Sequence, residues 1–306
     1  MNWQGVIPAI TTPFRPDLEV DYSFLTRHAQ WLIENGCVGI VALGSLGEGA
    51  TLSFFEKVRI LETLVKALPG VPIAAGISSL STQEAVELAR EAERVGCQGL
   101  MVLPPYVYST DWREMKAHVA AIMNATDLSC MLYNNPIAYR TDFLVEHIEE
   151  LLNEHPNLHA VKESSADVRR VTSIRAVCGD RIQILVGVDD AIVEGIAAGA
   201  RGWIAGTVNA LPRESVQLFE LALAGKHGKA FEIYSWFLPL LKLDVVPKFV
   251  QLIKLAQQEA GAGSERVRGP RLVLEGAERE AALHLIHRDL SNRPAAVQHS
   301  TPLLEK

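Results

Sequence analysis

The sequence LHAVKESSADV, residues 158–168, places a lysine inside a short apolar run that is followed by a polar segment. Leu158, Ala160 and Val161 predict a buried strand, and alternation along a strand puts Ala160 and Lys162 on the same face. If that face looks into a closed barrel, removal from water disfavours the ammonium form of the lysine. The neutral amine is then a nucleophile for a carbonyl carbon. A lysine that reaches solvent from the strand end is the alternative.

Seven further β-rich runs alternate with helical patterns such as residues 21–36 and 79–96. This alternation is typical of a parallel sheet with crossover helices. Eight strand–helix units in about 225 residues predict an α/β protein with a (β/α)8 TIM barrel, and a doubly wound open sheet is the alternative. Including the run at 158–164, the predicted strands are 5–11, 38–44, 71–77, 98–104, 128–134, 158–164, 182–188 and 201–206.

The strand pattern stops after residue 224, and three apolar helical patterns follow. We therefore predict a barrel catalytic domain over residues 1–224 and a C-terminal helical extension over 225–291. The last segment, 292–306, contains proline and serine without a period, which predicts a mobile tail.

Composition excludes several classes of protein. The 306 residues are 48% hydrophobic and 21% charged, as in globular proteins, and the net charge of −7 makes nucleic acid and anionic membranes poor partners. No 18-residue apolar span and no basic segment before an apolar one occurs, so we expect a soluble cytoplasmic protein. Four scattered cysteines predict reduced, packed thiols: Cys37, Cys97, Cys130 and Cys178.

Candidate site residues lie where predicted strands end, because catalytic groups of such barrels come from the βα loops. Strand two ends in GSLGEGATLS, residues 44–53, where Gly44 and the Ser45–Leu46 backbone can present N–H groups to a substrate carboxylate. Ser45 adds a hydroxyl. A Gly-Ser loop before a helix can equally be a structural turn.

Tyr133 ends strand five in CMLYNNP, residues 130–136, and is predicted to face the barrel mouth beside Lys162. A tyrosine there can relay a proton to or from an imine, although a packed core tyrosine is the alternative. Arg140, in the following loop with Tyr139, could admit a carboxylate or could be a solvated surface residue.

Strands seven and eight contribute less specific candidates. Asp189 and Asp190 are predicted to cap the next helix rather than to act as catalytic acids. Ile204 and Gly206 are expected to approach the substrate closely, since glycine leaves room for a ligand. No HExxH, CxxC, Walker or Rossmann motif stands in a supporting context, so we predict no metal and no nucleotide cofactor.

The joint order of G-S-L-G-E, Y-N-N-P, V-K-E-S and G-V-D-D resembles the dihydrodipicolinate synthase/N-acetylneuraminate lyase family over roughly residues 3–290. The resemblance implies a TIM barrel with a helical extension, a homotetramer or homodimer, and a covalent lysine imine with a 2-oxo acid in place of any cofactor. Carried over by position, Lys162 forms the Schiff base, Tyr133 relays protons, Ser45 with the 45–46 backbone binds the carboxylate, and Ile204 lines the lysine.

Three departures from the synthase pattern concern the substrate. The second hydroxyl residue of the glycine loop is Leu46 here. A tyrosine expected after strand four is matched by Val107, which lies between Tyr106 and Tyr108. The arginine comes four residues after the proline of Y-N-N-P, at Arg140, rather than two.

The local segments 103–108, 133–140, 161–168, 236–255 and 267–272 look more like a branch of the family associated with hydroxyproline degradation. That resemblance implies a 1-pyrroline-4-hydroxy-2-carboxylate deaminase, which would release 2,5-dioxopentanoate and ammonia from a cyclic imino acid. The alternatives are 4-hydroxy-tetrahydrodipicolinate synthase, which condenses pyruvate with aspartate semialdehyde, and a 2-keto-3-deoxy sugar acid dehydratase or aldolase. An alternative from another functional class is a barrel that binds a small carboxylate and does not catalyse a reaction.

Overall fold

The computed structural model describes residues 1–105 and 111–304 and consists of a parallel β-barrel surrounded by helices. The strands are Gly5–Pro8 (β1), Ile40–Ala42 (β2), Ile73–Ile77 (β3), Gly99–Val102 (β4), Ser129–Asn134 (β5), Leu158–Glu163 (β6), Gln183–Val186 (β7) and Gly202–Ala205 (β8). The helices are Tyr22–Glu34 (α1), Phe54–Ala67 (α2), Thr82–Arg94 (α3), Trp112–Met123 (α4), Pro136–Tyr139 (α5), Val145–Glu154 (α6), Arg169–Cys178 (α7), Ile192–Ala197 (α8), Pro212–Leu223 (α9), His227–Leu241 (α10), Phe249–Glu259 (α11) and Gly276–Ser291 (α12).

The sheet runs in the order β1-β8-β7-β6-β5-β4-β3-β2, so strands adjacent in the chain are adjacent in space. The first and last strands pair in parallel, and Gly5 lies opposite Gly202. The ring closes between β1 and β2, where the N–H of Ile10 donates to the carbonyl of Val41 at 2.9 Å. A doubly wound sheet would instead reverse its strand order at a switch point. The predicted TIM barrel is confirmed.

The strands are buried on both faces, because barrel-filling side chains cover one face and helices cover the other. Only Gly5, His159 and Gln183 depart from full burial among the strand residues. The exposed His159 lies on β6 between the buried Leu158 and Ala160. This alternation directs Lys162, two residues after Ala160, toward the barrel interior.

In the C-terminal extension, α10 packs on α9, and α12 packs on α10 and α11. Beyond α12 the chain returns to the barrel: Trp31 donates its indole N–H to the carbonyl of Thr301 at 2.9 Å, and the hydroxyl of Ser300 donates to Glu214 at 2.7 Å. The described part of the tail therefore has defined contacts. Its mobility and the boundaries at 224 and 291 stay predictions. All four cysteines are buried free thiols.

His28 on α1 is a buried titratable residue that contacts the loop after β8. Its ring is fully buried, and Nε2 lies 3.0 Å from the carbonyl oxygen of Asn209. Burial lowers the pKa of His28 from 6.5 to about 4, against a smaller opposing effect of that hydrogen bond.

We expect the buried His28 to lower the free energy of unfolding in acid. Between pH 6.5 and about 4 the unfolded chain binds a proton at His28 that the folded chain excludes. The free energy of unfolding therefore falls by roughly 3 kcal/mol as the pH drops through this window. Urea unfolding at pH 7 and pH 4.5 measures the loss, and His28→Gln should lose clearly less than the wild type. Equal losses in both proteins would contradict the assignment.

Candidate active site

Lys162 and Tyr133 meet at the mouth of the barrel, where β5 and β6 end. The two residues are register partners on neighbouring strands. The Nζ atom of Lys162 lies 4.0 Å from the centroid of the Tyr133 ring. Lys162 is only 6% exposed and Tyr133 only 5%. The structure thus places an amine and a phenol side by side with little access to water, and their catalytic roles stay predictions.

The position of Lys162 depends on a glycine at the end of β7. A Cβ atom added to Gly187 would lie 2.6 Å from Cε of Lys162 and 2.0 Å from Oγ of Ser164, so no larger residue fits. On the opposite face of β6, Glu163 accepts a hydrogen bond from the amide of Asn134 at 3.0 Å. The space above Gly187 admits the Lys162 side chain, and the hydrogen bond of Glu163 fixes the end of β6 from the other face.

Tyr139 connects the phenol of Tyr133 to the glycine loop. Its hydroxyl is hydrogen-bonded to Oγ of Ser45, and its ring packs edge-on against Tyr133 with centroids 5.7 Å apart. Asn135 donates its amide N–H to the hydroxyl of Tyr133 at 3.0 Å. The site therefore contains three neighbouring hydroxyls. Sequence reasoning placed Tyr139 only in a loop and did not single out Asn135, because their contacts depend on the short helix α5.

The glycine loop after β2 turns back on itself. The N–H of Gly49 donates to the carbonyl of Gly44 at 3.2 Å, which tightens the turn. Among the hydrogen bonds of the described residues, none uses the backbone N–H of Ser45 or Leu46. Leu46 is buried. The two N–H groups and the Ser45 hydroxyl are suitable donors for a carboxylate.

Glu48 anchors this loop to the C-terminal extension. Its carboxylate is fully buried and accepts from Nζ of Lys254 at 2.5 Å and from the N–H of Arg268 at 3.0 Å. The Lys254 ammonium also donates to the carbonyl of Arg266 at 2.6 Å. Burial lowers the pKa of Lys254 to about 8 in spite of Glu48. The ion pair joins residues more than 200 positions apart, so sequence patterns gave no signal for it.

Two predicted substrate-binding residues lie in different surroundings. Ile204 is buried, and the register Lys162–Leu185–Gly202 puts it on the same barrel face as Lys162. Arg140 ends α5 in a left-handed conformation with φ of 60° and is exposed. Within the described ranges no hydrogen bond or ion pair joins Arg140 to the other site residues. Its role as a carboxylate guard stays a prediction.

The prediction that Asp189 caps the next helix is wrong. Its buried carboxylate accepts from the indole of Trp203 at 2.8 Å and from the backbone N–H groups of Gly206 and Thr207, the latter at 2.7 Å. Helix α8 begins after Ala191 with no side-chain cap. Asp189 therefore stabilises the loop after β8, because its carboxylate points toward backbone donors after the neighbouring strand rather than along its own chain.

Asp244 is a further carboxyl at the mouth, and it comes from the C-terminal extension. A Cβ atom added to Gly206 would lie 2.0 Å from Oδ1 of Asp244, so the carboxyl occupies the space above this glycine. The expected close approach at Gly206 is thus made by a protein side chain. Sequence reasoning missed Asp244, because the surrounding pattern is that of an apolar helix.

The remaining expectations concern the loop after strand four, metal ligands and membrane-spanning helices. Val107, with Tyr106 and Tyr108, lies outside the described residues. In the ranges that the structure describes, no group of three histidine, cysteine or acidic side chains is arranged to hold a metal ion. None of the described helices is long and apolar enough to cross a membrane.

Comparisons with known proteins agree with this geometry. The sequence matches the dihydrodipicolinate synthetase family over residues 2–288. The 4-hydroxy-tetrahydrodipicolinate synthase of Methanococcus maripaludis is 35% identical over 268 residues, which cover 87% of this chain and 92% of that protein. The enzyme of the same name from Rhizobium meliloti is 35% identical over 271 residues, which cover 88% and 92%. The chloride-inhibited dihydrodipicolinate synthase of Acinetobacter baumannii, solved with pyruvate, is 28% identical with a TM-score of 0.89, covering 94% of this chain and 99% of that chain.

Proposed function

Because the chain belongs to the dihydrodipicolinate synthetase family of Schiff-base lyases, we propose that Lys162 forms an imine with C2 of a 2-oxo acid or cyclic imino acid. The observation that carries this proposal is the position of the Lys162 amine, buried at the barrel mouth and 4.0 Å above the Tyr133 ring. An amine held away from water next to a hydroxyl acid has the two groups that imine formation needs.

The neighbouring residues fit the steps of imine formation. The substrate carboxylate accepts hydrogen bonds from the Ser45 hydroxyl and from the N–H groups of Ser45 and Leu46. The Lys162 amine adds to C2, and the Tyr133 hydroxyl gives a proton to the oxygen or nitrogen that leaves C2. Tyr139, bonded to Ser45, connects the carboxylate end of the site to the tyrosine pair.

The first candidate for the overall reaction is that of 4-hydroxy-tetrahydrodipicolinate synthase. The names of the relatives at 35% identity support it. In this reaction the imine of pyruvate loses a proton from C3, and the resulting enamine carbon bonds to the aldehyde carbon of aspartate semialdehyde.

The second candidate is the 1-pyrroline-4-hydroxy-2-carboxylate deaminase to which the local sequence pointed. The relatives named above carry the synthase name, so the comparisons support this candidate less than the synthase. One feature of the site favours it: the apolar Leu46 replaces the second hydroxyl of the synthase pattern. The same feature favours a 2-keto-3-deoxy sugar acid dehydratase or aldolase.

Borohydride reduction in the presence of pyruvate tests the imine. We expect intact mass spectrometry to detect a covalent adduct of reduced pyruvate, and peptide mapping to place it on Lys162. A protein that binds without turnover would give no adduct with any 2-oxo acid. A panel then separates the two candidates: pyruvate-dependent condensation with aspartate semialdehyde against ammonia release from the hydroxypyrroline carboxylate.

Tyr133→Phe is expected to slow imine formation by about 10²- to 10⁴-fold, because it removes a positioned general acid. The ring is kept, so the packing against Tyr139 and above Lys162 is kept as well. The rate of borohydride-trapped adduct formation measures the effect, with Tyr22→Phe on α1 as a control for the loss of a tyrosine hydroxyl. An unchanged rate in Tyr133→Phe would remove the relay role.

The assembly and location of the protein are proposed from the family alone. We propose a homotetramer or homodimer that works in the cytoplasm on a small 2-oxo or imino acid. Light scattering on the purified protein gives the mass of the assembly, and a monomer would contradict the first part.

A further inference from the structure

Asp244 brings a carboxyl from the helical extension into the barrel mouth. It lies in the 3₁₀ turn Lys242–Val245, which connects α10 to α11. Its Oδ1 atom would be 2.0 Å, and its Cγ atom 2.6 Å, from a Cβ added to Gly206. Only glycine at the end of β8 leaves room for this carboxyl, so the two positions form one structural unit.

The carboxyl of Asp244 and the amine of Lys162 enter the mouth over neighbouring strands. The Lys162 side chain fills the space above Gly187 at the end of β7, and Asp244 fills the space above Gly206 at the end of β8. Neighbouring strands are about 4.8 Å apart, so both groups border the same volume. Within residues 1–105 and 111–304 no ion pair joins them, and no hydrogen bond to another residue engages the Asp244 carboxyl.

The surroundings of Asp244 favour its neutral form. Burial raises its pKa well above the usual range, and the neighbouring Asp189 carboxylate raises it further. The Lys162 charge acts in the opposite direction, and Asp190 adds a smaller repulsion. A carboxyl that keeps its proton is a hydrogen-bond donor and an acid in a mouth that otherwise holds an amine and phenols.

The proposed function assigns C1 of the substrate to the glycine loop after β2 and bonds C2 to Lys162 on β6. The Asp244 carboxyl lies beyond Lys162, above the end of β8. A carbon chain that extends from C2 toward the ends of β7 and β8 would bring C4 under this carboxyl.

We propose that Asp244 is the acid that gives a proton to the oxygen on C4 of the carbon chain bound to Lys162. The proposal rests on the imine chemistry proposed for Lys162 and deepens it. It applies to either candidate reaction, because each one forms or breaks a bond at C4.

The protons balance in the elimination and in the condensation. In elimination, a proton leaves C3 and an enamine forms, the C4–O bond breaks, and the hydroxyl takes the Asp244 proton and departs as water. In condensation, the enamine C3 bonds to the aldehyde carbon, and the aldehyde oxygen takes the Asp244 proton to become the C4 hydroxyl. In both cases the carboxylate regains its proton from water.

Asp244→Asn tests the proposal, because asparagine keeps the size but cannot transfer the proton. Pyruvate has no C4, so adduct formation with borohydride and deuterium exchange at its C3 should stay within about twofold of the wild type. Turnover of aspartate semialdehyde with pyruvate, of the hydroxypyrroline carboxylate or of a 2-keto-3-deoxy sugar acid should fall by about 10²-fold or more. Asp244→Glu should recover part of this turnover.

Asp190→Asn is the matched control, since it removes a neighbouring carboxyl charge without changing the group above Gly206. It should reduce turnover far less than Asp244→Asn does. If Asp244→Asn forms the pyruvate adduct and keeps full turnover, the acid role is overturned while the lysine chemistry stands. If the wild type forms the adduct but catalyses none of these three reactions, no bond is made or broken at C4 and the acid role of Asp244 is overturned. Absence of any adduct in the wild type would instead overturn the proposed function.

Discussion

Lys162→Ala is expected to abolish adduct formation with pyruvate and to lower turnover by on the order of 10⁴-fold or more, as removal of a covalent nucleophile does in other enzymes. Lys162 is the lysine that lies beside Tyr133 at the end of β6, where the proposed function needs the amine. Initial rates with the preferred substrate and intact mass after borohydride treatment measure the two effects.

The fold of Lys162→Ala should survive, because the side chain enters no ion pair with another described residue. Circular dichroism and thermal unfolding of the variant check this. Lys226→Ala, which removes an exposed lysine before α10, is the control and should form the adduct as the wild type does. An adduct that persists in Lys162→Ala would move the nucleophile to another residue and reject the site.

The part of the site that sequence could predict is the part that strand alternation determines. Eight β-rich runs between helical patterns gave the barrel, and alternation on β6 placed Lys162 on the inner face with Ala160. The pairing of Tyr133 with Lys162 followed from the parity of two adjacent strands. In a parallel barrel, residues at the carboxyl ends of neighbouring strands must meet, so order along the chain implied contact.

The missed residues act through contacts that no local pattern encodes. Asp244 reaches the mouth from a short turn in the helical extension, and its place is visible only through the space left by Gly206. Asp189 was predicted as a cap because acidic residues before helices often are, but Trp203 and the backbone after β8 provide stronger donors for it. Tertiary contacts thus changed the role of a residue whose position was correctly expected at the end of a strand.

Lys254→Met is expected to lower the free energy of unfolding by about 3 kcal/mol, because it removes the close counter-ion of the buried Glu48 carboxylate and leaves only the Arg271 guanidinium 4.0 Å away. Glu48 is 0% exposed and Lys254 2%, so water cannot replace the lost partner. The pair also holds the loop that carries Ser45, and its loss should raise KM for the 2-oxo acid. Urea unfolding at pH 7 and fixed protein concentration measures the stability change.

The exposed pair Lys248–Glu278 provides the matched control, since both its side chains are 51% exposed. Lys248→Met should cost less than about 1 kcal/mol, as surface ion pairs do. The double variant Glu48→Gln/Lys254→Met removes both buried charges and leaves an amide oxygen that can still accept from the N–H of Arg268. It should regain at least about 2 kcal/mol of the loss in Lys254→Met, which would identify the unpaired charge as the source of the instability. If the double variant is as unstable as Lys254→Met, the loss arises from packing around the lysine chain, and the loop after β2 is held by its apolar contacts instead.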